Sequence, residues 1–197
     1  MRQRIVDAAR HRFARCGYDA ASLREIAAAA GVTKPMVYYY FGSKEGLYRA
    51  LLEQTLGTLR QALAEATRPT GQGATQRLVA LARLHQRLAT QRSDDLRLLA
   101  TATLGLPGAG PRLDICAELA GLHHRVIAAI LQDGIAAGEL RSADPELTTL
   151  IVGSVTSLFY TAAFHDRALP QPPDAAQRIV DILVDGIAAP SRKGTPS

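Results

Sequence analysis

The chain has 197 residues, 47% of them apolar and 21% charged, which supplies a sizeable core and excludes wholesale disorder. No run approaches the ~18 uncharged apolar residues of a membrane span, and the opening MRQRIVDAARHRF mixes charge with apolar groups, unlike a secretory leader. The net charge of +5 sits wholly in residues 1–50, with nine Lys/Arg against four Asp/Glu, so a polyanion is drawn to the N-terminal quarter of a chain expected to be cytoplasmic.

Glycines and prolines punctuate the chain, and between them Ala, Leu, Arg and Gln predominate, all good helix formers. The pattern predicts an all-α fold of about nine helices, near 2–16, 23–30, 34–40, 44–67, 74–91, 94–104, 112–137, 145–165 and 174–188. In the first, Ile5, Ala9, Phe13 and Cys16 share a face, and in the fourth Leu47, Leu51, Leu59 and Leu63 recur. Ile115, Leu119, Leu122, Val126, Ile130 and Ile135 stripe the seventh. Leu147, Leu150, Ile151, Ser154, Leu158 and Ala162 stripe the eighth, and Ile179, Ile182, Leu183 and Ile187 the ninth. The expected division is a three-helix reading domain at 1–46, a helical body at 47–190 and a flexible tail at 191–197.

Residues 22–44, SLREIAAAAGVTKPMVYYYFGSK, carry the densest signals. Ser22 with Glu25 predicts a capping box that starts a helix at Leu23. Gly31 suits the left-handed position that ends it, Val32 plugs the corner, and Thr33 is an N-cap for a second helix with Pro35 in its first turn. Helix, glycine turn and short helix make a helix-turn-helix. Val37 and Phe41, four apart, anchor the second helix inward. Its other face presents Lys34, Met36, Tyr39 and Tyr40, with Thr33 at the start. Hydroxyls and lysine suit phosphate oxygens, whereas Met and Tyr suit thymine methyls and base edges. Any one tyrosine is equally well read as packing, Tyr38 most of all; the whole constellation is not. Ser43 then caps a fourth helix whose first amides, with Lys44, suit a phosphate.

The stretch RIVDAARHRFARCGYDAASLREIAAAAGVTKPMVYYYFGSKEGLYRALL resembles the N-terminal domain of the TetR family of bacterial repressors, over roughly the first quarter of the chain. The resemblance implies phosphate contacts from Ser22, Tyr40 and Lys44. It implies major-groove contacts from Thr33, Lys34, Pro35, Met36, Tyr38 and Tyr39. Pro35 stands where relatives often have Gly, and Tyr40 where many have His; Pro35 removes a backbone N–H that could meet the DNA. The family further implies a homodimer built from the last two helices and a small organic effector. That effector enters the body, displaces the fourth helix directly or through the sixth, and changes the spacing of the two reading heads.

Beyond residue 50 no catalytic signature occurs: no nucleotide-binding glycine loop, no HExxH and no nucleophile elbow. The chain therefore reads as a regulator and not an enzyme, with no cofactor and no metal. Cys16 and Cys116 lack CxxC spacing and read as small hydrophobes. His85, His123, His124 and His165 are the titratable residues of interest; ordinary core or surface histidine is the plain reading, and His123 and His124 point too far apart to share a metal. Candidate lining for a mostly aliphatic pocket is Leu81, His85, Leu104, His123, Ile127 and Phe159, suited to a small hydrophobic or amphipathic molecule. The Gly-rich 105–111 stretch reads as a flexible connection. Small residues Gly153, Ser154, Ser157 and Ala162 on the eighth helix would let two helices approach closely. One short helix reads few base pairs, so a dimer on a palindromic operator follows physically, with heads about one DNA turn (~34 Å) apart. A constitutive DNA-binding regulator with no effector is the alternative.

Overall fold

A computed structural model describes residues 1–68, 71–105, 107–108, 110–111, 113–141, 144–161 and 172–187. Its elements are helices α1 (Arg2–Ala20), α2 (Leu23–Ala29), α3 (Lys34–Phe41), α4 (Lys44–Ala66), α5 (Ala74–Gln91), α6 (Ser93–Leu104), α7 (Asp114–Ala136), α8 (Pro145–Thr161) and α9 (Ala175–Ile187). The predicted all-α class and element order hold among the described residues; the expected tail at 191–197, His165 and the end of the eighth helix lie outside them. α1 runs four residues past its expected end, but not as a straight helix. Gly17 interrupts it at φ 77°, ψ 172°, a conformation open almost solely to glycine.

Two apolar clusters organise the fold. The first packs Ile5, Ala9 and Phe13 of α1 with Ile26 of α2, Val37 of α3 and Leu47, Leu51 and Leu56 of α4, and it takes in Leu98, Leu99 and Ala102 of α6. The second joins Leu63, near the end of α4, to α5, α7, α8 and α9 through Leu78, Leu81, Ile127, Ile130, Val152 and Val180. α4 therefore belongs to both. Phe13, Tyr18 and Tyr48 form an aromatic group within the first, with centroids 5.1 to 5.8 Å apart. Helix ends are closed by remote groups as well as local ones. Glu139, in the turn after α7, accepts the Ala74 N–H at 2.7 Å and so caps α5. The buried Arg77 donates to Thr67 O at 3.2 Å and pairs with Asp133 at 2.5 Å.

Ion pairs flank this apolar seam between the first helices and the body. Arg10 pairs with Asp95 at 2.7 Å and His11 with Asp94 at 3.0 Å, tying α1 to α6, while Arg49 meets Asp114 at 2.6 Å and ties α4 to α7. The connection after α6, expected to be flexible, docks at its described residues. Tyr18 N–H donates to Gly108 O at 2.7 Å, and a Cβ on Gly17 would come within 3.0 Å of Gly108 Cα. Facing glycines permit this backbone-to-backbone approach.

Candidate nucleic-acid interface

α2 begins at Ser22, whose Oγ accepts the Arg24 N–H at 3.3 Å. The reciprocal half of the expected capping box is not formed. Glu25 turns instead to Arg12 of α1, at 2.6 Å, because an arginine on the neighbouring helix offers a charge-assisted partner. At the other end Gly31 N–H reaches Ala28 O (3.0 Å) and Val32 N–H reaches Ala27 O (2.9 Å), the paired bonds of a Schellman turn with Gly31 left-handed at φ 64°. The turn sets the angle at which α3 leaves.

Thr33 occupies the N-cap of α3 with an exposed side chain that makes no capping bond. Its first turn is closed by Met36 N–H on Thr33 O at 3.0 Å. Only Val37 of this helix is fully buried, with Phe41 half-buried against the same core. The rest of α3 faces out. Tyr39 is 84% exposed, Tyr38 44% and Tyr40 37%; Lys34 and Pro35 are exposed and Met36 is half-buried. Lys34 Nζ lies 5.6 Å from the Tyr38 ring centroid, and Tyr39 and Tyr40 meet edge to face at 5.3 Å. Exposed aromatics cost solubility, and here three adjacent ones cover no core, which ordinary surface does not explain.

Gly42, left-handed at φ 73°, ends α3, and Ser43 opens α4 by accepting the Gly46 N–H at 2.9 Å as expected. Gly46 is a positioning residue that the sequence pattern did not single out: a Cβ there would collide with the Phe41 carbonyl oxygen, so only glycine lets α4 start this close to α3. Lys44 is half-buried. Its Nζ donates to Asp19 O at 3.1 Å and lies 4.6 Å from the Tyr18 ring centroid. Tyr18 thus touches both Lys44 and the Gly108 connection. Burial and the nearby Glu45 and Asp19 raise its pKa, so the hydroxyl stays neutral.

Of the pocket candidates in the body, Leu81 and His85 on α5 and Ile127 on α7 are fully buried, and His123 is half-buried. The His85 and His123 rings are 4.7 Å apart, so α5 and α7 bring the two imidazoles together. The side chains of Leu104 and Phe159 lie outside those described, as do those of Cys116, Ser157 and Ala162. Desolvation, and then the neighbouring His123, pushes the His85 pKa well below 6.5; desolvation, and then His124, brings His123 to about 4. Both rings are neutral at pH 7. In the unfolded chain they titrate near 6.5 and bind protons first, so their stabilising contribution is complete above that pH. It is lost as pH falls from 6.5 towards 4, by up to about 3 kcal/mol for His123. Urea unfolding of wild type against His123→Gln should resolve this loss, since the carboxylates common to both cancel. Parallel stability curves over that window would refute it.

The family model described as bacterial regulatory proteins, tetR family, matches residues 5–51, from α1 to the start of α4. The transcriptional activator FasR of Mycolicibacterium smegmatis is 41% identical over 69 residues, 35% of this chain and 32% of that protein. The transcriptional repressor AcnR of Corynebacterium glutamicum is 33% identical over 64 residues, 32% of this chain and 34% of that one. The matches thus span about a third of the curated relatives' length. Over the whole fold, the transcriptional regulator FadR of Bacillus subtilis, solved with stearoyl-CoA, superimposes with a TM-score of 0.74 at 24% identity, covering 95% of this chain and 100% of that one.

Proposed function

We propose that this chain is a member of the tetR family of bacterial regulatory proteins, whose model its first helices match, and that it is a cytoplasmic DNA-binding transcription regulator acting as a homodimer on a palindromic operator. The observation that carries this reading is the outward face of α3, where Tyr38, Tyr39 and Tyr40 are exposed beside Lys34 on a helix held by one buried anchor, Val37. Thr33, Lys34, Pro35, Met36, Tyr38 and Tyr39 are assigned to the groove. Ser22, Tyr40 and Lys44 are assigned to phosphates. Pro35 contributes shape and a fixed φ but no donor.

A small hydrophobic or amphipathic effector is assigned to the body near Leu81, His85, His123 and Ile127, with Leu104 and Phe159. FadR was solved with stearoyl-CoA, a ligand with a long apolar tail, which supports that class. Such a molecule releases DNA only by binding the released spacing of the heads better than the bound one. We favour repression, although FasR and AcnR are named with opposite signs. Constitutive binding without an effector is favoured by one feature, the complete burial of Leu81, His85 and Ile127. A thermal-shift series with long-chain acyl-CoA separates the two, because a ligand of the folded state raises the melting temperature.

The decisive experiment is selection of bound sites from random DNA, which should return an inverted repeat. On that site Lys44→Ala should weaken binding to all sequences alike and reduce the salt slope by about 0.9 per lost contact. Recovery of unrelated sequences, with no symmetric site, would overturn the reading.

A further inference from the structure

The cations of the first fifty residues do not share one environment. Arg10 is neutralised by Asp7 and Asp95, Arg12 by Glu25 and Arg49 by Asp114, while Lys44 is held by Asp19 O. Arg2 and Arg4 differ. Both are exposed and, like Arg15, Arg24 and Lys34, have no acid within ion-pair distance among the described residues; what sets these two apart is where they stand. They occupy the first turn of α1, which has no acidic residue, and a cation there opposes the helix dipole. Neither charge stabilises its own helix.

Both guanidinium groups lean instead on the reading unit. That of Arg2 lies 5.1 Å from the centroid of Phe41, the last residue of α3. That of Arg4 lies across Gly31, in the turn that feeds α3, where a Cβ would meet its terminal nitrogen at 2.5 Å. Two uncompensated charges therefore stand beside α3, one near each end. The ring and the bare glycine surface restrict their rotamers before any partner arrives, so less side-chain freedom remains to be lost on binding. A helix entering a groove has a phosphate strand on each side, and a planar guanidinium suits phosphate oxygens.

We propose that Arg2 and Arg4 are phosphate contacts bordering the groove read by α3, extending the DNA footprint beyond Ser22, Tyr40 and Lys44. The inference rests on the regulatory reading above, and its test keeps the two apart. Fluorescence anisotropy follows binding to a duplex that the wild-type chain itself selects from random DNA, across a KCl series. For Arg2→Ala with Arg4→Ala, each lost contact should lower the log–log salt slope by about 0.9 and the affinity at 0.15 M salt by about fivefold. Arg2→Lys with Arg4→Lys should keep most of the slope. Arg83→Ala with Arg87→Ala removes the same charge from the exposed face of α5 and should leave the slope at the wild-type value. A wild-type slope in the Arg2/Arg4 alanine pair, or an equal drop in the α5 pair, overturns the proposal while regulation stands. No DNA bound by the wild type overturns the regulatory reading itself.

Discussion

Ile151→Asp together with Ile182→Asp should leave a folded chain that no longer dimerises and binds its DNA site at least about a hundredfold more weakly. The apolar stripe expected on the eighth helix is not consumed by the core of the chain. Leu147, Leu150 and Ile151 of α8 stay about half exposed, and Ile182 of α9 is 74% exposed. The inward side of the same helices is met by Thr149, Val152, Ala176 and Val180, all buried. Helices apolar on two sides need a second surface to cover the outer one. A carboxylate at either outer position costs an isolated protomer little, since it remains in water. In a pair it would be buried without a partner. Two linked heads gain roughly 10²–10⁴ in avidity over one, so losing the pair should cost that much at the operator. Sedimentation equilibrium with anisotropy on the selected site checks both halves, and a variant that remains dimeric would remove this face from the interface.

Gly17→Val should destabilise the fold by about 3 kcal/mol, lowering the melting temperature by roughly 6–12 °C. Two costs combine. The φ of 77° with ψ of 172° is strained for any residue bearing a Cβ, and that Cβ would press on Gly108 Cα and O at 3.0 and 3.2 Å. Backbone is pressed on both sides, so no rotamer relieves it. Gly71 offers a comparison without the contact: its φ is also positive, 76°, and nothing lies within 4 Å of a built Cβ. Gly71→Ala should therefore be the milder change of the two by calorimetry when set against Gly17→Ala. Equal losses would mean that the contact with Gly108 contributes nothing.

What could be read from the sequence was what local chemistry decides. Gly31, Ser43, the Val37–Phe41 spacing and the apolar stripe of the fourth helix act within a few residues of themselves, and each stands in the structure as expected. Contacts between distant segments were not legible. A capping box is a local pattern and points Glu25 to its own helix, whereas Arg12, thirteen residues away, holds it. The glycines of the 105–111 stretch suggest a loose connection, although glycines also allow the close approach that Gly108 makes to Tyr18. Charge counting does not single out Arg2 and Arg4, because it does not say which cations are already neutralised or which lie against α3. The exposure of α3 followed from its composition, since three tyrosines and a lysine leave only Val37 and Phe41 to bury.

The passage of α4 through both apolar clusters has a mechanical consequence. Its 23 residues, rising 1.5 Å each, make a rod of about 34 Å with no break. One end is wedged by Leu47 and Leu51, the other by Leu63. Pivoted at one end, such a rod converts a tilt of about 5° into a sweep of about 3 Å at the other, the length of a hydrogen bond. A crowding of the far cluster too slight to unfold anything would thus be magnified into a displacement at Lys44.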